Sequence, residues 1–174
     1  NMVKEVIKRG CRFLDFEVFY IKENNIYKPK VAISSDKTFM LLDSKNSILL
    51  DKVLSTVATT AFSQNSPNNK DPIFINLRIK SRDSNIYQAV ARSIDANLKS
   101  IAYDGNITNK TLLQDVMGKA IIIIDKTVEY DYKQYTSCND GDTNCYDLTK
   151  YMNLESGSEY LNLHRYTDLL NHAN

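Results

Sequence analysis

Apolar residues recur along this chain with two different periods, and the switches between them predict its elements. Val-Lys-Glu-Val-Ile-Lys-Arg at residues 3–9 predicts the end of an amphipathic helix, stopped by Gly10. Residues 12–20 alternate as a strand, so Phe13, Asp15, Glu17 and Phe19 share one of its faces. Asn24-Asn25 marks a turn. Tyr27 is expected to pair briefly beyond it, and Pro29 to open a second strand through Val31, Ala32 and Ile33. From Ser47 to Phe62 the spacing becomes helical, with Leu50, Val53, Leu54, Val57, Ala58, Ala61 and Phe62 on one stripe. Residues 63–71 are a solvated loop, and Pro72 to Leu77 a buried strand. Ser84 is placed to cap a helix that turns Ile86, Val90, Ile94, Leu98 and Ile101 inward. Asp104-Gly105-Asn106 is a turn and Thr111 to Met117 a short helix. The unbroken apolar run Ala120 to Ile124 predicts a parallel strand covered on both faces.

This order (strand, strand, helix, strand, helix, strand) predicts an α/β fold with a parallel sheet. About four strands are expected before residue 126, half of what a (β/α) barrel of about 250 residues contains. The chain of 174 residues therefore forms either an open sheet or part of a barrel. Residues 1–128 read as one unit. Residues 129–174 read as a polar tail or insertion, with regular periodicity returning only around Ser158–Leu170, and the segment either completes the barrel or docks on a partner.

Composition narrows the function classes. A net charge of +1 gives no bulk attraction to nucleic acid, so no nucleic-acid partner is expected. No run of about 18 apolar residues predicts a transmembrane helix. The first residues lack the apolar core of a signal peptide, and they look like the middle of a longer chain. Heavy use of Asn, Lys, Ile, Tyr and Ser suggests an AT-rich genome, such as that of a protist, a parasite or a large DNA virus. Cys11 reads as a small buried hydrophobe, whereas Cys138 and Cys145 form either a local disulfide or two free thiols. Asn106-Ile107-Thr108 and Asn109-Lys110-Thr111 fit the N-glycosylation pattern, which matters only in a secreted chain. Asp140 to Asn144 begins like a calcium loop, but Cys145 and Tyr151 stand where that loop needs glycine and glutamate. His164 and His172, eight residues apart, read as surface histidines.

The chemistry concentrates on the first strand. Asp15 and Glu17 share a face, and two buried acids side by side are costly unless neutralised. They serve either as ligands of a hard cation or as ion-pair partners of Arg12, Arg78 or a lysine; the ion pair is the favoured expectation. Ser34-Ser35-Asp36 is expected to be a strand-end turn or a helix cap rather than a nucleophile or a phosphate contact.

Gly10-Cys11-Arg12-Phe13-Leu14-Asp15-Phe16-Glu17 resembles the glycine–x–arginine–x–x–acid–x–acid strand of phosphatidylinositol-specific phospholipase C X domains. The downstream order is similar too. A strand at Pro29–Ile33, a helix ending Ala61-Phe62, the proline-led Asp71-Pro72-Ile73-Phe74-Ile75-Asn76-Leu77 and the glycine-lysine-led Gly118-Lys119-Ala120-Ile121-Ile122-Ile123 follow in sequence. The resemblance spans about residues 4–128 and implies part of a TIM-type barrel in the full protein, with an irregular C-terminal extension.

The resemblance implies phosphodiester cleavage by an internal inositol hydroxyl, with two histidines as acid/base and oxyanion stabiliser and, in some members, a calcium ion. Histidine exchanges protons near neutral pH, and a divalent cation or arginine neutralises charge developing on phosphorus. Carried over, Asp15 and Glu17 match the strand carboxylates with their identities swapped, and Arg12 matches the strand arginine. The first histidine would precede residue 1. The second would fall near Ile33-Ser34-Ser35, where none stands, and Arg78 stands where a further carboxylate ligand is expected. The implied function is a catalytically degenerate phospholipase-C-like domain that binds protein partners, with a virion or the cytoplasm as its setting and secretion left open. The alternative is an active phosphodiesterase that uses an upstream histidine, with Arg12 and Arg78 in place of metal. Lys119 and Lys126 are the candidate contacts to a phosphoinositide headgroup. No cofactor is expected unless Asp15 and Glu17 retain calcium.

Overall fold

The computed structural model describes residues 2–39, 41–43, 46–139, 141–156 and 161. The opening helix α1 (Met2–Lys8) ends as its pattern predicts, with Gly10 at φ +94°, a conformation that glycine adopts without a Cβ penalty. Strand β1 (Phe13–Glu23) runs longer than its alternating core. Asn24 and Asn25, both at positive φ, turn it back into β2 (Ile26–Val31) as a tight hairpin. Pro29 lies inside β2, opposite Tyr20, and does not open the strand.

Three further expectations are corrected locally. Ile48 and Leu49 do not join the helix: they form β3, which pairs with Lys30 and Val31, and α2 (Leu50–Thr60) starts after them. Ser84 makes no side-chain cap on α3 (Asn85–Leu98). The task falls to Asp83, whose Oδ1 accepts from the backbone and side chain of Asn85 at 3.0 and 2.8 Å. The helix near residue 113 is a single turn, α4 (Leu113–Val116).

The strands form one six-stranded sheet in the order β3-β2-β1-β4-β5-β6, with β4 at Ile73–Lys80, β5 at Ala120–Asp125 and β6 at Leu154–Ser156. The sheet is open, not closed into a barrel. It is also not wholly parallel: β1, β4, β5 and β6 run parallel, while β2 and β3 are antiparallel additions at one edge. β6 comes from the segment expected to be an irregular tail. Tyr132 and Leu148 of that segment are fully buried in the main core, so the described residues of 129–156 belong to the same body.

Period-two alternation sorts the two sheet faces. Leu14, Val18, Ile73, Ile75, Leu77, Ile79, Ile122 and Ile124 face α2 and α3 and form the main core with Leu54, Val57, Ile86, Val90, Ile94 and Leu98. Burial of a side chain of this size stabilises by about 1.5–3 kcal/mol relative to exposure. The opposite face of β1, β4 and β5 lines up Phe13, Phe74 and Ile121, then Asp15, Asn76 and Ile123, then Glu17, Arg78 and Asp125. A smaller cluster of Val116, Ile121, Ile123 and Leu154 covers the β5 side of this face. Among the described residues, no helix is long and apolar enough to cross a membrane.

Candidate functional site

Strand register brings the first-strand carboxylates to β4. Asp15 stands opposite Asn76, and Glu17 opposite Arg78. The Arg78 guanidinium forks between the two acids. Its Nε and Nη2 donate to the two Asp15 oxygens at 3.0 and 2.9 Å, and Nη1 lies 3.3 Å from Glu17 Oε1. A bidentate arginine–carboxylate pair adds geometric definition as well as charge. Asn76 Nδ2 donates to Asp15 Oδ1 at 2.9 Å, which completes a four-residue network on one sheet face. Asn76 is fully buried, and its Oδ1 accepts no hydrogen bond from the described residues.

Calcium does not fit this donor set. The ion requires six to eight oxygen ligands. Both Asp15 oxygens and one of Glu17 are already bonded to a guanidinium, whose positive charge would stand beside the incoming ion. Asp125, next to Arg78 in register, accepts from the Thr127 amide and hydroxyl instead of joining the cluster. Nor does the network attract a phosphate: two carboxylates and one guanidinium sum to one negative charge.

Arg12 is placed elsewhere. Its Nη1 donates to the Ala61 carbonyl at 2.8 Å, its Nη2 to the Asp71 carbonyl, and its guanidinium lies 5.3 Å from the Phe62 ring centre. It ties the end of α2 to the approach of β4, a structural task. Burial lowers its pKa from the usual arginine value, opposed by the Asp71 charge. Lys119 and Lys126 flank opposite ends of β5, about 23 Å apart at about 3.3 Å per residue, so one small headgroup cannot meet both. Ser34 and Ser35 are irregular backbone and the turn starts only at Asp36, whose carbonyl accepts from the Phe39 amide at 3.1 Å; the Ser35 amide and hydroxyl donate to Asp43, and the Thr38 amide donates to Asp36. Cys11 is half-buried rather than buried. His164, His172 and Asp140, with nearly all of the Ser158–Leu170 periodicity, lie outside the described residues.

A second polar group lies past the end of β5. Lys126, Tyr130, Asp131, Lys133, Gln134 and Glu155 line a cleft of about 500 Å³. Lys126 Nζ sits 4.4 Å from the Tyr130 ring centre. Glu155 accepts from the Tyr132 hydroxyl at 2.8 Å and pairs with Lys133 at 3.1 Å. Burial opposes ionisation of Glu155, but the bonds from Tyr132 and Lys133 outweigh it and hold the carboxyl below its ordinary value of 4.5. A depressed folded pKa means stability that is present above 4.5 and lost as pH falls through the folded value. Glu155→Gln is therefore expected to flatten the acid limb of a Tm-against-pH profile; superimposable acid limbs for variant and wild type would sink this assignment. The same hydrogen bond, added to burial, raises the Tyr132 pKa far above the usual phenol value.

Asp15, Glu17 and Arg78 were legible from the sequence, but Asn76, Tyr132 and Glu155 were not singled out. The signal for Asn76 is an amide in an otherwise apolar strand, two residues before Arg78 and hence on the same face. Tyr132 and Glu155 lie 23 residues apart in an aperiodic segment, and only folding brings them together.

Comparison with protein-family models returned no match to this chain, and comparison with curated proteins returned none.

Proposed function

We propose that this chain is a catalytically degenerate phospholipase-C-like domain that acts as a binding or structural module. In the full protein the sheet forms part of a TIM-type barrel, with the face that carries Asp15, Asn76 and Arg78 turned inward. The observation that carries the functional half of this proposal is the Arg78 fork. It satisfies both first-strand carboxylates internally, where a turnover site would keep them open to metal or substrate. Arg12 cannot compensate, because its Nη1 and Nη2 hold the Ala61 and Asp71 carbonyls and fix the guanidinium there. β2 ends at Val31, and Ile33, Ser34 and Ser35 follow it where the resemblance implies a histidine.

The partners of such a module are proteins in an assembly, of which a virion is one setting. If a phosphoinositide headgroup is also bound, Lys126 and Lys133 at the cleft beyond β5 offer the cationic contacts, with Tyr130 as a ring surface. Lys119 is too far away to share in it.

The test is turnover by the full-length protein on phosphatidylinositol and on a soluble inositol phosphodiester, with calcium and with chelator. No turnover by folded protein is the expected result. Turnover abolished by Asp15→Asn would overturn this reading in favour of an active phosphodiesterase, and calcium dependence would place a metal beside Arg78. Binding to phosphoinositide vesicles, weakened by Lys126→Ala, would mark the module as a headgroup binder without turnover.

A further inference from the structure

Two features that the network on β1 and β4 does not use point to the same conclusion about how this chain is made. The first is covalent. Cys138 and Cys145 are joined as a disulfide, with Cα atoms 5.6 Å apart, inside the usual range for a bridge. Such bridges persist in oxidising compartments and are rare where glutathione and thioredoxin keep thiols reduced. The second is a pattern of exposure. Asn106-Ile107-Thr108 and Asn109-Lys110-Thr111 are the only two N-glycosylation patterns in the chain, and both asparagines are exposed. Asn76 and Asn153, which are buried, are followed by Leu-Arg and Leu-Glu and fall outside the pattern.

We propose that this chain matures in an oxidising, glycosylating compartment, where Asn106 and Asn109 are N-glycan acceptors and Cys138 is bridged to Cys145. In the first reaction the asparagine Nδ2 displaces the diphosphate from the anomeric carbon of a polyprenyl-diphosphate-linked oligosaccharide. A C–N bond forms, the C–O bond to the diphosphate breaks, the amide loses a proton and polyprenyl diphosphate leaves. In the second, the two thiols give up two protons and two electrons to the disulfide of an oxidoreductase, which is reduced to its dithiol.

The fold is built to tolerate the glycan. Sugar added to an unfolded chain must end outside the folded one, because a buried glycan would displace core packing. Residues 103–107 are held against the sheet by Asn153: its Nδ2 donates to the Tyr103 and Gly105 carbonyls at 2.9 and 2.7 Å, and the Ile107 amide donates to its carbonyl at 3.0 Å. Ile107 packs inward against Ile121, Ile123 and Leu154, while Asn106 beside it is exposed. Asn109 lies in the next turn, closed by the Thr111 amide donating to the Thr108 carbonyl at 3.1 Å. This loop adjoins the start of β5, where the Tyr103 amide donates to the Ala120 carbonyl. The cleft around Lys126 is past the other end of that strand, so a glycan at residues 106–109 leaves the cleft open.

The experiment uses the full-length protein from the cells that make it, expressed with its own flanking sequence. It is treated with peptide N-glycosidase F, and its peptides are read by mass spectrometry. Free thiols are alkylated before and after reduction. The expected result is a gel shift on deglycosylation, conversion of Asn106 or Asn109 to aspartate, and alkylation of Cys138 and Cys145 only after reduction. The shift should vanish in the Asn106→Gln, Asn109→Gln double variant, whose exposed side chains carry no core packing. Unmodified asparagines in wild type overturn the glycan sites, whether or not the bridge is present. Alkylation of Cys138 and Cys145 without reduction overturns the oxidising compartment.

Discussion

Replacement of Asn153 by alanine is expected to cost about 4 kcal/mol of stability, because three backbone groups lose their partner at once. Asn153 is 3 % exposed and joins three pieces of backbone. Its Oδ1 accepts from the Ile122 amide in the middle of β5 at 2.7 Å, and its Nδ2 holds the Tyr103 and Gly105 carbonyls. Alanine retains the main-chain bonds of residue 153 but orphans the buried Ile122 N–H and frees two carbonyls. An unsatisfied buried group costs about 1–3 kcal/mol, and the exposed loop lets water recover part of the carbonyl loss. Urea unfolding measures the total. Amide exchange locates it, with Ile122 and Ile107 expected to lose protection ahead of the β1–β4 centre. Asn153→Asp should also destabilise, because it retains the acceptor but removes both donated bonds. A loss below about 1 kcal/mol in the alanine variant would show that the loop is held by its apolar contacts instead.

The elements that were legible in the sequence are those where one period runs long enough to exclude the other. The stripe of α3 and the unbroken run of β5 placed themselves, and the Gly10 stop needed only the glycine. Expectations failed where a tertiary partner decides. Ile48 and Leu49 fall inside the expected helix Ser47 to Phe62 but off its apolar stripe, and two backbone pairings with β2 draw them into the sheet. β6 is three residues long and has no period to detect; it exists because β5 offers a parallel edge and Tyr132 and Leu148 bring the segment back to the core.

The functional face shows the same division. Period two alone put Asp15 and Glu17 together, and an ion pair with Arg12, Arg78 or a lysine was the favoured expectation for them; the structure selects Arg78. What the sequence could not supply was register. A slip of one residue between β1 and β4 would have turned Arg78 away from both acids. Arg12 shows the converse error, because a residue matched by motif position proved to hold the carbonyls of Ala61 at the end of α2 and Asp71 before β4 rather than the carboxylates three and five residues on.

Arg78→Met is expected to destabilise by about 3 kcal/mol. The estimate lies between two limits. Breaking a buried pair costs about 3–5 kcal/mol, because the surviving charge is left uncompensated. Exposed pairs contribute about 0–1 kcal/mol. Side chains 32 %, 41 % and 24 % exposed, for Arg78, Asp15 and Glu17, stand between these cases, and here two carboxylates, not one, lose their counter-charge. Adding Asp15→Asn and Glu17→Gln to Arg78→Met should restore most of the loss, since the repulsion disappears with the charges. Arg78→Glu carries the same logic to the metal. It sets a third carboxylate beside Asp15, Glu17 and the unbonded Asn76 oxygen, a set of hard oxygen donors suited to calcium. This variant should be the least stable of the series in chelator. It should regain about 2.7 kcal/mol when calcium reaches a hundred times its dissociation constant. Wild type should show no calcium response, because Arg78 already supplies the positive charge at that place. Equal stabilisation of wild type and Arg78→Glu by calcium would show that the cation binds somewhere else, and that the arginine does not stand in for it.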